Sequence, residues 1–262
     1  MPHLHEDKIQ FLEEMANTIR QDIIQMVVHA GSGHVGGPLG MADVFTALYF
    51  HILKHDPKKP DWADRDRVVL SNGHICPVLY ATMARAGYFP VEELQTLRKF
   101  GSRLQGHPHR TSLPGLETSS GPLGSGLSQA VGMAIGARMN ANPSTHSTTA
   151  QGGEQSRTTG SSPEGSRLSR AGRADARNIN IYGLMSDGEQ DCGQTWEAAM
   201  LAGKLKLDNL TALIDRNNIQ IDGMTENIMP LEPLRAKYEA FNWHVIEING
   251  HNFEEIVNGY EE

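Results

Sequence analysis

The run Asn178–Met185, NINIYGLM, stops abruptly at Ser186-Asp187-Gly188, and no other feature of the chain constrains its fold as much. A short apolar stretch bounded by turn residues reads as a buried strand. Two further segments extend the pattern. TWEAAMLAGKL (195–205) has helical spacing, and LTALID (210–215) is a second apolar run that ends in polar residues. Strands alternating with helices predict a parallel sheet with helices on both faces, an α/β fold.

The rest of the chain fits that plan. Ile9, Leu12, Met15, Ile19, Ile23, Met26 and Val27 recur at helical spacing and predict a helix over 7–29. AGSGHVGGPLG (30–40) is too glycine-rich for a helix, and MADVFTALYFHIL (41–53) reads as one. Val68–Leu70 reads as a short buried strand and PVLYATMARAG (77–87) as a helix. The loop GPLGSG (121–126) runs into a helix from near Leu127. PLRAKYEAFN (233–242) is expected to be helical and WHVIEI (243–248) a strand. All 262 residues are expected to form a single domain.

Residues 142–177 break the pattern, because Leu168 is their only large apolar residue among Ser, Thr, Gly and Arg. Such a stretch buries too little surface to offset the entropy of ordering, and it reads as a disordered insertion. Its arginines (157, 167, 170, 173 and 177) could bind an anion or a nucleic acid, but a stretch of this composition reads rather as a solvated loop. The chain carries a net charge of −8. That charge suggests neither nucleic acid nor an acidic membrane as partner, and no apolar run has the length of a membrane span. The two cysteines, Cys76 and Cys192, have no metal-ligand spacing and fit a reducing cytoplasm.

If the strands at 178–185 and 210–215 are neighbours, Asp187 and Asn217 emerge together at the carboxyl edge of the sheet, where open α/β folds bind ligands. A carboxylate, an amide oxygen and a backbone carbonyl are hard donors that suit Mg²⁺ or Ca²⁺ with phosphate oxygens. Ordinary strand-end turns would have the same composition, so this pair leaves both readings open. Three glycine-flanked histidines add weight: His34 in GSGHVGG, His74 in SNGHICP and His107 in LQGHPHR. Each lies in a loop-like stretch, where catalytic groups gather.

In these stretches the chain resembles the amino-terminal, diphosphate-binding half of transketolase, a thiamine-diphosphate enzyme. The matching motifs are SGHVGGPLGMAD, WADRDRVVLSNGH, GHP, GPLGSGLSQAVGMAIG, SDG through LAGKLKL, and DRNNIQIDG, in the family's order from about residue 10 to 255. Ser186 replaces the first glycine of the family's usual Gly-Asp-Gly.

The resemblance implies that Asp187, Asn217 and the carbonyl of Ile219 hold a divalent cation (Mg²⁺, or Ca²⁺ or Mn²⁺), with Gly188 near the diphosphate. It places Gly121 and Leu123 by the aminopyrimidine and Ile221 by the thiazolium. His34, His74 and His107 would surround the reacting carbons, His74 also touching the cofactor. The implied activity is transfer of a two-carbon ketol unit from a ketose or its phosphate to an aldose or its phosphate. The cofactor acts as electron sink and the protein supplies position and acid–base groups. It would work in cytoplasmic carbohydrate metabolism of the pentose phosphate type.

Three departures qualify the resemblance. No segment corresponds to the family's pyrimidine-binding domain, whose glutamate activates the cofactor. The expectation is therefore a split enzyme whose carboxy-terminal subunit supplies that domain, in a 2+2 assembly. The carboxy terminus is shorter than the family's, lacking a further strand and histidine loop. Cys192 stands where many relatives have a glutamate in a proton path between active sites; Glu197 keeps that path's second acid, and Cys192 itself reads as a packing residue. The alternatives are a non-catalytic or truncated cofactor-binding half, a related thiamine-diphosphate synthase subunit, and a plain metal-dependent phosphate binder.

Overall fold

The computed structural model describes residues 4–141, 179–221 and 223–262. The expected insertion at 142–177 lies outside the described residues.

The chain opens with α1 (Glu6–Ala30), which buries Leu12, Ala16, Ile19, Ile23 and Met26 along one stripe. Full burial of each large aliphatic side chain contributes about 1.5–3 kcal/mol, so this stripe fixes the helix more firmly than its propensity does. α1 stops at Gly31, whose φ of +67° suits glycine and whose N–H caps the carbonyls of Val27 and Val28. α2 (Gly36–Gly40) follows, then α3 (Ala42–Ala47), which continues as a π-helical turn over Leu48–Ile52.

After these come β1 (Arg67–Leu70), α4 (Cys76–Arg85), α5 (Ser125–Ala141), β2 (Ile181–Ser186), α6 (Gly193–Leu205) and β3 (Leu210–Asp215). A two-stranded hairpin, β4 (Ile219–Gln220) with β5 (Gly223–Met224), leads into α7 (Thr225–Ile228), α8 (Leu234–Ala240) and α9 (Phe253–Glu261).

The sheet runs β1-β2-β3, all parallel, with Leu70 opposite Leu184 and Ser186 opposite Asp215. Period-two alternation divides its side chains between two cores. Leu70, Tyr182 and Leu184 face α1, α3, α4 and α9, while Val69, Ile181 and Met185 face α5, α6 and α8. The expected α/β architecture is therefore present, with helices on both faces.

Four expectations need correction. Residues 36–40 are helical despite their glycines, because a Cβ on Gly37 would stand 2.7 Å from Ile75: the missing side chain lets this turn lie directly on the next segment. The single helix expected over 41–53 is divided by the π-helical turn. WHVIEI (243–248) forms no strand. A cavity of about 420 Å³ lies between it and β3, lined by Thr211–Ile214 on one side and Trp243–Ile248 on the other, and no ladder forms across it. The carboxy-terminal segment NFEEIVNGYE, for which no element was expected, is a helix capped by Asn252, whose side chain accepts from the N–H groups of Glu254 and Glu255.

Candidate active site

The carboxyl ends of β1, β2 and β3 converge on one edge. Register places Ser186 opposite Asp215, and the Asp187 N–H donates to the Asp215 carbonyl (3.1 Å), so the two strands deliver Asp187 and Asn217 side by side. Asp187 is buried at 1 % exposure, and both of its carboxylate oxygens are engaged. Oδ1 accepts from Gly188 N–H at 2.8 Å. Oδ2 accepts from Asn218 N–H (3.0 Å), the Thr225 hydroxyl (3.1 Å) and Arg216 Nη1 (3.1 Å).

The Asn218 bond pins the turn that carries the other two expected ligands. Asn217 Oδ1 accepts from Ile219 N–H (2.9 Å), and its Nδ2 donates to Asp215 (3.0 Å). Burial, with the Asp187 charge added, holds the Asp215 carboxyl above the usual range. The Asp187 carboxylate at the end of β2 is thus tied through Asn218 to the turn that carries the Asn217 amide and the Ile219 carbonyl. Their hard-oxygen chemistry fits a divalent cation bound with phosphate oxygens.

The histidines form a second group. The His34 and His74 rings stand 4.8 Å apart, centroid to centroid. Burial, then the neighbouring His34 and His107, pull His74 down to about 4. His107 is also lowered, by burial first and then by Arg98 and His34. A Cβ on Gly121 would lie 4.0 Å from His107 Cδ2, and one on Gly73 would lie 2.7 Å from Ser120 Cβ. The SNGH turn, the GHP loop and the GPLG loop are therefore in mutual contact. With His74 neutral near pH 7, the group can donate or accept protons without concentrating positive charge.

The remaining expected residues surround this edge. Leu123 is half-exposed and its carbonyl accepts from Gln194 (3.1 Å). Ile219 and Ile221 are exposed, Ile221 almost fully at 97 %. A bare isoleucine beside polar ligands leaves apolar surface for a ring or a partner to cover. Glu197 lies exposed on α6, with no hydrogen bond or ion pair to a described side chain. Cys192 packs against the GPLG loop: a Cβ on Gly124 would come within 2.5 Å of its Cβ.

Sequence reasoning missed Arg216, Glu189 and Arg98. Arg216 joins Asp187, Glu226 and Glu232. Glu189 is fully buried; burial raises it to about 7, against the lowering effect of its bonds from Ser71 and Gly124. Both stand beside assigned ligands, and a charged residue in that place was the available signal. Arg98 lay outside every motif and gave none.

The family model described as the transketolase thiamine diphosphate binding domain matches residues 12–151 and 167–262. The chain belongs to the transketolase family. The resemblance carried by the motifs is borne out, and this transketolase chain is the amino-terminal part of a thiamine-diphosphate-dependent transferase. It is 42 % identical over 251 residues to the 6-deoxy-6-sulfo-D-fructose transketolase subunit SqwG of Clostridium sp. strain MSTE9, covering 96 % of this chain and 78 % of that one. It is 38 % identical over 253 residues to an apulose-4-phosphate transketolase subunit of Phocaeicola vulgatus, covering 97 % and 77 %. The solved transketolase from Leishmania mexicana superposes with a TM-score of 0.81 at 35 % identity, covering 95 % of this chain but only 34 % of that longer one. Two relatives of which the chain covers more than three quarters are thus named as subunits, while the chain spans about a third of the solved enzyme. Among the described residues no helix is long and apolar enough to cross a membrane.

Proposed function

We propose that the chain is the diphosphate-binding subunit of a split transketolase that moves a two-carbon ketol unit between sugars or sugar phosphates. The observation that carries this reading is the hydrogen bond from Asn218 N–H to Asp187, which draws the Asp187 carboxylate onto the turn bearing Asn217 and Ile219. Those three residues would hold a divalent cation, Mg²⁺ by preference for phosphate-bound sites. Gly188 would lie near the diphosphate. Gly121 and Leu123 would border the aminopyrimidine, and exposed Ile221 would pack against the thiazolium. When bound, thiamine diphosphate supplies the electron sink for breaking and making the carbon–carbon bond.

The chain's own residues then orient and move protons. His34, His74 and His107 hydrogen-bond the hydroxyls of the ketose and shuttle protons as bonds break and form. Exposed Ile219 and Ile221 exclude water once covered. The cover, and the glutamate that bonds the aminopyrimidine, would come from a carboxy-terminal subunit with the pyrimidine-binding domain, in a 2+2 assembly. Glu197, exposed on α6, would face that assembly rather than the histidines. A cytoplasmic place in sugar metabolism follows from such substrates.

The test is Asp187→Ala with the partner chain present. Calorimetry should find Mg²⁺-dependent binding of thiamine diphosphate abolished, since the only carboxylate assigned to the cation is gone. Unchanged affinity would refute the site.

A further inference from the structure

Glu189 follows Asp187, assigned to the cation, and Gly188, assigned to the diphosphate, yet it points away from solvent at 0 % exposure. Its Oε2 collects two donors from two different segments: the Ser71 hydroxyl at 3.0 Å and the Gly124 N–H at 3.3 Å. Ser71 passes the connection on, because its oxygen accepts from Gly126 N–H at 3.0 Å. Two of the donors, Gly124 and Gly126, lie at the amino end of the 17-residue helix α5, where a negative charge is favoured.

The packing leaves no slack around this chain of bonds. A Cβ on Gly126 would stand 2.3 Å from Ser71 Cβ, and one on Gly124 would stand 2.5 Å from Cys192 Cβ. Glu189 itself is braced from behind, its carbonyl accepting from the Thr195 hydroxyl (3.0 Å) and from Cys192 N–H (3.2 Å). One carboxylate therefore ties the end of β2, the end of β1 and the start of α5. Those ends carry Gly188, His74 and the Gly121–Gly124 loop respectively.

We propose that Glu189 is a positioning residue: through Ser71 and Gly124 it holds the SNGH turn and the GPLG loop in fixed relation to the Asp187-Gly188 turn. This rests on the reading that these loops face thiamine diphosphate. An acceptor oxygen shared by two loops sets their separation through both bonds at once. The carboxylate touches none of the reacting atoms; it fixes the groups that do.

The test uses Glu189→Ala, Glu189→Gln and Ser71→Ala in the full chain assembled with its partner, with two readouts. Amide exchange at Gly124 and Gly126 should quicken at least tenfold in Glu189→Ala, with α1 and β3 unchanged, and the affinity for thiamine diphosphate with Mg²⁺ should fall about tenfold. Glu189→Gln, which keeps an acceptor oxygen, should restore both to within about threefold. Ser71→Ala should reproduce part of the loss and add little on top of Glu189→Ala; it also carries the test if the alanine variant does not fold. Unchanged exchange at Gly124 and Gly126, exchange quickened equally in all elements, or faster loop exchange with unaltered affinity would each overturn the proposal. Wild-type assembly that fails to bind thiamine diphosphate would instead refute the cofactor reading, and the exchange result would still report what Glu189 holds.

Discussion

The guanidinium of Arg216 stands 3.1 Å from Oδ2 of Asp187, the oxygen that also receives the Asn218 N–H and the Thr225 hydroxyl. A divalent cation at Asp187 would compete with that guanidinium for the same oxygen. Glu226 and Glu232, at 2.6 and 3.2 Å from Nη2, give Arg216 somewhere to remain when displaced. Arg216→Met keeps the aliphatic stem and removes the competitor. Without metal the variant should melt about 3–6 °C lower, the shift expected for about 1.5 kcal/mol in a chain of this size. With saturating Mg²⁺ and thiamine diphosphate the difference should shrink, and the Mg²⁺ midpoint should move severalfold lower. Thermal melts across a Mg²⁺ series check this; a constant gap would show that the ion and Arg216 do not share the oxygen.

His74 should make the chain acid-sensitive. Its folded-state value is about 4, against an ordinary 6.5, through burial and the rings of His34 and His107. Between those values the unfolded chain binds a proton that the folded chain does not, so stability is intact above pH 6.5 and falls as pH drops toward 4. His107 moves in the same direction. His74→Gln should lose less stability than wild type when the pH is lowered from about 7.5 to about 5. Urea midpoints at the two pH values measure it, and equal losses would mean that acid sensitivity arises elsewhere.

The legible parts of this molecule were those where local pattern and tertiary packing agree. The α1 stripe, the two apolar runs ending at Asp187 and Asp215, and the histidine-bearing loops all carried signals of that kind. Register did the rest, since neighbouring parallel strands must deliver their ends together. What stayed hidden depended on partners far away in sequence. Nothing local tells that Gly37 lies on Ile75, or that Glu189 reaches Ser71, 118 positions earlier. WHVIEI has strand propensity but pairs with no strand among the described residues, and propensity alone does not make a strand.

Asp43 fastens the carboxy-terminal part to the first helix. It is 5 % exposed and one oxygen, Oδ2, pairs with both Arg20 and His251, the latter at 2.8 Å. Asp43→Asn keeps the volume and leaves Arg20 without its counter-charge, which should cost about 2 kcal/mol, less than for a fully dry pair because both partners are partly solvated. Chemical denaturation gives the number. If the cost falls below about a few tenths of a kcal/mol, the cluster is not a fastening.

Glycines within α5 should respond to alanine with opposite signs. At Gly126 the new Cβ would meet Ser71 at 2.3–2.6 Å, including its Cα, so backbone must move and the bond from Gly126 N–H to Ser71 is lost. At Gly132, exposed and further along the same helix, a Cβ meets nothing within 4 Å. Alanine there removes the helix penalty of glycine and should stabilise by up to about 1 kcal/mol, chiefly by restricting the unfolded chain. Gly126→Ala should instead destabilise by about 2 kcal/mol or more, as overpacking of a tight contact does. Paired melts of the two variants decide the matter: the same substitution in the same helix should move the midpoint up at one position and down at the other, and two shifts of equal sign would show that helix propensity, not the contact with Ser71, governs both.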